Sequence, residues 1–69
     1  MPLTMVQTGI ENEIKKITGK DDTRRFLESL GFVVGGMVTV VSEVGGNMII
    51  NVKNTRIALD KGMASRIIV

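Results

Sequence analysis

The chain has 69 residues, 43% hydrophobic and 23% charged, a balance typical of a folded domain and not of a disordered segment. A chain this short buries only about 60% of the surface that its unfolded form exposes, so we expect one domain with one modest core over residues 1–69. Nine basic and seven acidic side chains leave a net charge of +2, and their scatter along the sequence argues against a nucleic-acid interface.

The cysteine content and the first residues indicate in which cellular compartment the protein is expected. Without cysteine there is no disulfide framework, which favours a reducing compartment. The start, Met1-Pro2-Leu3-Thr4, lacks a basic region followed by an apolar one. No run approaches the roughly 18 apolar residues that a membrane span needs. We therefore expect a cytoplasmic protein without direct membrane insertion.

The first predicted element, after a short apolar lead from Leu3 to Val6, is a strand over Ile10–Ile17. Isoleucines alternate there with charged residues, which is the period of a half-buried strand. Ile17 falls three residues after Ile14 and so breaks that period. The break indicates a bulge, or a bend of the strand over the rim of a barrel.

A single helix is predicted to begin at Asp21 or Asp22, both good N-cap residues whose carboxylates also complement the positive end of the helix dipole. Gly31 stands where a left-handed C-cap is needed, and Phe32 is expected to pack back against the last turn. Helical spacing assigns an inward face to Thr23, Phe26, Leu27 and Leu30, and an outward face to Arg24, Arg25, Glu28 and Ser29.

The second half of the sequence predicts a three-strand meander and a closing strand. Tight turns are indicated at Gly45-Gly46-Asn47 and at Asn54-Thr55. The predicted strands are Met37–Glu43, Met48–Lys53, Arg56–Asp60 and Arg66–Val69, with a single 3₁₀ turn over Lys61–Ala64. The expected fold is mainly β with one short helix: a small SH3-like barrel of about five strands whose last strand pairs near the first.

The residue types argue against chemistry within the chain. There is no histidine and no cysteine, so a catalytic triad and the usual zinc or iron ligands are missing. Glu11 and Glu13 share one strand face, but solvent-facing alternation explains them. Two phenylalanines are too few for a proline-peptide groove or for stacking on nucleic-acid bases. We expect no enzyme activity, no catalytic residue, no metal site and no bound cofactor.

Five short stretches together resemble the FeoA family of cytoplasmic accessory proteins in ferrous iron uptake. They are IKKITG at residues 14–19, RRFLESLGF at 24–32, GGMVTVV at 35–41 and Ile57-Ala58-Leu59 with the closing Ile67-Ile68-Val69. The most specific part is the helix ending in Leu-Gly with the G-x-x-V-x-V strand behind it. Val34 and Asp60 depart from the family pattern, which often has proline and a basic residue there.

The resemblance implies an SH3-like barrel that binds and regulates FeoB, the GTPase-linked ferrous iron transporter, through the transporter's cytoplasmic part. Ferrous iron and GTP would then belong to the partner. With the charged helix face, the resemblance places the contact at Arg24, Arg25, Glu28, Phe32, Val34 and Gly35. Nothing DNA-binding precedes the module, which favours a free-standing accessory protein. Two alternatives stay open: a metal-binding or metal-sensing domain related to the C-terminal domain of iron-dependent repressors, and weak self-association through a strand edge.

Overall fold

A computed structural model describes all residues from 1 to 69 and shows a mainly β chain. A 3₁₀ turn over Leu3–Met5 comes first and buries Leu3 completely. The elements that follow are β1 (Glu11–Glu13), β2 (Lys16–Ile17), α1 (Asp21–Ser29), β3 (Met37–Val44), β4 (Asn47–Val52), β5 (Thr55–Asp60), α2 (Lys61–Ala64) and β6 (Ile67–Ile68).

The predicted strand over Ile10–Ile17 is wrong as a single strand, although the bend was expected. Ile14, fully buried, is held between two backbone hydrogen bonds: its N–H donates to Gly36 O, and its C=O accepts from Gly35 N, both at 2.8 Å. The next N–H, on Lys15, donates instead to Ile68 O. The chain therefore changes partners between Ile14 and Lys15, which separates β1 from β2.

All strand pairs are antiparallel, and they form two sheets. One has the order β1-β3-β4-β5, and the other joins β2 to β6. Ile68 pairs with Lys16 and also forms a bridge with Pro2, so the last strand closes against the N-terminal region as predicted. A register shift between Val40 and Ser42 marks a bulge in β3.

The two hairpins differ in how well their residues suit the turn. Gly45 and Gly46, at φ 54° and 85°, join β3 to β4 as predicted. The second turn lies at Lys53 and Asn54, one residue before the prediction, with φ of 48° and 63°. Asparagine tolerates this left-handed backbone and lysine does so less readily. The pairing of Val52 with Thr55 fixes the turn at a position that composition alone does not indicate.

The core is entirely apolar, because none of the buried residues is polar or charged. The inward residues of the meander alternate along each strand, as the pleat requires. The 13 buried residues are Leu3, Ile14, Ile17, Leu27, Phe32, Val38, Val40, Met48, Ile50, Val52, Leu59, Ala64 and Ile67. Helix α1 contributes one side chain to this cluster, so most of its surface faces outward.

The segment Lys61–Ala64 is a short α-helical turn, and its prediction as a 3₁₀ turn was wrong. The N–H of Ser65 donates to Lys61 O at 2.9 Å, which is the i to i−4 spacing of an α-helix. Asp60 caps this turn, since its Oδ1 accepts from Met63 N at 2.7 Å. The side-chain cap stabilises this turn, which includes the glycine at position 62.

Candidate partner-binding surface

The N-cap of helix α1 lies one residue before the predicted N-caps. Lys20 is the N-cap and makes no side-chain capping bond, while Asp21 and Asp22 lie in the first turn. The prediction that Asp21 or Asp22 is the N-cap was therefore wrong. Their carboxylates still stand near the positive end of the helix dipole, so the electrostatic part of the argument applies.

The other end of α1 has the hydrogen-bond pattern of a Schellman motif. Phe32 N donates to Leu27 O and Gly31 N donates to Glu28 O, both at 3.0 Å, with Gly31 at φ 106°. Phe32 is fully buried. Naming Phe32 as a partner contact was therefore wrong, because its side chain has no exposed surface; its role is to fix the direction in which the chain leaves the helix.

The inward face of α1 is narrower than predicted. Leu27 is fully buried and Leu30 is half-buried, whereas Phe26 is 49% exposed. Adjacent residues on a helix point about 100° apart, so Phe26 lies at the margin of a stripe centred near Leu27. The prediction that Phe26 faces inward was wrong, and half of a large aromatic ring is available at the surface.

The outward face carries charges with few partners inside the chain. Arg24, Arg25 and Glu28, together with Asp21, surround a shallow depression of about 230 Å³. The one ion pair on this helix joins Arg25 to Asp22 at 3.9 Å, and both side chains are largely exposed. Exposed pairs of this kind contribute at most about 1 kcal/mol, so they hold the side chains only weakly.

The loop after α1 presents one apolar side chain to solvent. Gly36 N donates to Val33 O at 2.9 Å, closing a turn that leaves Val34 65% exposed. Gly35 has φ 89° and donates its N–H to Ile14 O. The loop is therefore tied to the N-terminal part of the sheet, and its exposed residue is held by backbone hydrogen bonds.

A second depression, of about 260 Å³, lies on the outer face of the larger sheet. Glu11, Thr39 and Asn51 lie side by side there in cross-strand register. The lining residues are Glu11, Met37, Thr39, Asn51, Lys53 and Asn54. Sequence reasoning missed this site because its residues come from three strands and a turn, and only the strand register brings them together. No three His, Cys, Asp or Glu side chains in the chain are grouped so as to hold a metal ion.

Comparison with known proteins identifies the family. The model of the FeoA domain matches the chain over residues 1–69. The chain belongs to the FeoA family. A protein of Methanocaldococcus jannaschii, provisionally named Fe(2+) transport protein A, is 32% identical over 68 residues, covering 99% of this chain and 83% of that protein. FeoA is a transport accessory domain associated with Fe(2+) transport.

Solved FeoA structures share the fold. The crystal structure of an iron uptake regulatory protein FeoA superposes with a TM-score of 0.89 at 29% identity, covering 97% of this chain and 91% of the other. Stenotrophomonas maltophilia FeoA complexed with zinc, described as a procaryotic SH3 domain protein, gives 0.85 at 31%, covering 100% and 88%. These neighbours confirm the predicted SH3-like barrel.

A manganese-dependent transcriptional repressor superposes with a TM-score of 0.86 at 17% identity, covering 97% of this chain and 39% of the repressor. At that identity the likeness concerns the fold alone. As for membrane spans, none of the helices has the length and apolar character to cross a bilayer.

Proposed function

We propose that this FeoA-family chain is a non-enzymatic accessory protein of ferrous iron uptake, and that it binds and regulates the cytoplasmic part of a FeoB-type GTPase-linked transporter. The observation that carries the proposal is the family match over the whole chain. Ferrous iron and GTP are then the transporter's substrates, and this chain acts by contact.

The contact surface that we propose is the outward face of α1 with the loop that follows it. Arg24, Arg25 and Glu28 are exposed, and neither Arg24 nor Glu28 has an ion-pair partner within 4.0 Å. Their charges are therefore free to pair with a complementary surface. Val34 and Gly35, both exposed, extend the surface along the loop.

The exposed half of Phe26 supports this choice of surface. Interface residues that carry most of the binding energy are enriched in aromatic side chains and arginine, surrounded by contacts that exclude water. Phe26 is 49% exposed and points about 100° away from Arg25, so it lies at the margin of the outward face. We therefore add Phe26 to the proposed contact residues in the place of the buried Phe32.

The experiment is a binding assay between this chain and the purified cytoplasmic part of the FeoB-type transporter from the same source. The test variant is Arg24→Glu with Arg25→Glu. Its matched control is Lys15→Glu with Lys16→Glu, which makes the same charge change at two adjacent exposed lysines outside α1. We expect the helix variant to lose binding and the control to keep it. Equal binding by both variants would remove the helix face from the proposal.

The second candidate function is direct binding of a transition metal. It is favoured by one observation, that the S. maltophilia relative was solved as a complex with zinc. Titration calorimetry with ferrous or manganese ions tests it. Heat of binding at micromolar affinity would support a metal-binding or metal-sensing domain, whereas its absence together with transporter binding would favour the accessory role.

A further inference from the structure

Strand β5 is an unprotected edge of the larger sheet. It pairs with β4 at all six of its residues, with no bulge and no proline, and it has no neighbour on its other side. The opposite edge, β1, has only three residues. A regular edge strand carries a row of unpaired backbone groups that can accept another strand.

The hydrogen bonds at the end of the β4–β5 ladder show which backbone groups face outward. Lys61 N donates to Gly46 O at 3.2 Å, just beyond the pair of Asn47 with Asp60. That pair is therefore a non-hydrogen-bonded pair, and alternate residues of the ladder share its geometry. It follows that the N–H and C=O groups of Arg56, Ala58 and Asp60 point away from β4, and the side chains of all three are exposed.

We propose that β5 pairs antiparallel with β5 of a second copy of this chain, about a two-fold axis at Ala58. In this register Ala58 lies opposite Ala58, and the two exchange N–H···O bonds in both directions. Arg56 of each copy lies opposite Asp60 of the other. Each Asp60 N–H donates to the facing Arg56 C=O, while the Asp60 C=O is directed to α2, which this residue caps.

Charge complementarity selects this register over its neighbours. Moving the axis to Arg56 places two arginines directly opposite each other. An axis at Ile57 pairs Ala58 with Arg56, and an axis at Leu59 pairs Ala58 with Asp60. In neither of these registers does Arg56 lie opposite Asp60. Opposite charges in facing positions of a sheet are stabilising and like charges are destabilising. At Ala58 the axis meets the smallest side chain of the strand, so the two backbones can approach.

The capping hydrogen bond of Asp60 occupies only one of its two carboxylate oxygens. Asp60 uses Oδ1 to accept from Met63 N, so Oδ2 remains free to accept from an arginine of the second copy. Arg56 makes no ion pair within the chain. Both members of the proposed intermolecular pair therefore enter it without giving up an existing contact.

The association that this edge supports is weak, because a single pair of strands buries less surface than the roughly 1,200 Å² of a stable standard interface. Its test is sedimentation velocity from ~10 μM to ~1 mM, the range in which a weak dimer forms. Amide exchange measured by NMR over the same range reports on the edge itself. We expect a dimer to form with concentration, together with protection of the Ala58 N–H.

Three variants test the register. Arg56→Glu places two acids opposite each other at both ends and is expected to weaken the dimer by about tenfold or more. Asp60→Asn removes the charge but keeps a good capping residue, and should weaken the dimer less. Ala58→Pro removes the axial N–H at a position where it faces outward, which edge strands tolerate. Arg24→Glu, the same charge change on α1, is the control and should dimerise like the wild type.

Sedimentation as a monomer at every concentration would overturn the proposal. It would indicate that the charged side chains of Arg56 and Asp60 prevent strand pairing at this edge. Dimerisation of folded Arg56→Glu and Ala58→Pro at wild-type strength would equally overturn the proposal, since it would place the contact elsewhere. Protection of the Ala58 N–H by an added extended peptide, without dimerisation, would also overturn the proposal, because it would show that β5 pairs with a strand of another protein and not with a second copy.

Discussion

The N–H of Phe32 donates to the carbonyl oxygen of Leu27 at 3.0 Å, across the glycine that ends α1. This bond joins two fully buried residues, and it reverses the chain so that the exposed loop follows directly on the exposed helix face. The proposed contact surface therefore depends on a backbone hydrogen bond between two residues whose side chains are buried.

Gly31→Ala should destabilise the fold by about 1–2 kcal/mol, because an alanine at φ 106° is strained. The added Cβ itself would meet only ordinary contacts, at 3.6 Å from Lys53 and 3.7 Å from Val52. Gly31→Asn should lose less, since asparagine tolerates left-handed backbone better. Urea unfolding of the three proteins measures the order, and equal stabilities would contradict a backbone origin.

Phe32→Ala and Phe26→Ala should behave in opposite ways. The first removes a fully buried ring and should lower the free energy of unfolding by about 3–5 kcal/mol. In a domain of marginal stability, a loss of this size leaves a large fraction of the molecules unfolded. The second trims a half-exposed ring, so the protein should stay folded while its binding to the transporter falls. Thermal unfolding and the binding assay separate the two; a folded Phe26→Ala protein with wild-type binding would exclude Phe26 from the contact.

Asp60→Ala should lower the free energy of unfolding by about 1 kcal/mol, because the Met63 N–H at the start of α2 loses its side-chain acceptor. Asp60→Asn should restore most of that loss. The two variants differ from wild type by the same charge, so a difference between them in chemical denaturation reports the cap and not the charge. Equal losses would indicate that the carboxylate charge is what matters.

Replacing Lys53-Asn54 by Asn-Gly should stabilise the protein by about 1 kcal/mol, since Asn-Gly suits a two-residue hairpin with positive φ at both positions. The melting temperature measures the gain. Lys53→Asn alone serves as the intermediate step and should give part of it. A lower melting temperature for the double variant would mean that Lys53 makes stabilising contacts beyond the turn.

Short-range patterns predicted most of the fold. The helix followed from its spacing and from Gly31, and the first hairpin from Gly45-Gly46, because propensity and turn chemistry act over a few residues. The division of the first strand did not follow, since Ile14 takes its hydrogen bonds from a loop more than twenty residues later. Only three-dimensional packing decides such a contact.

The exposure of the residues proposed for the contact was predicted in part for the same reason. Charges on one helix face are visible from spacing, so Arg24, Arg25 and Glu28 were placed correctly outside. The exchange of roles between Phe26 and Phe32 was not visible. Both are apolar and close to the helix end, and which one is buried depends on where the chain turns after Gly31.

The pairing of β2 with β6 carries a consequence for how the chain is made. Lys16 and Ile17 emerge early from the ribosome, but their partners Ile68 and Ile67 come more than forty residues later. The second sheet therefore cannot form until β6 is free, and fully buried Ile67 is missing from the core until then. Closing so long a loop carries an entropic cost. We therefore expect the nascent chain to stay only partly folded until β6 has left the ribosome.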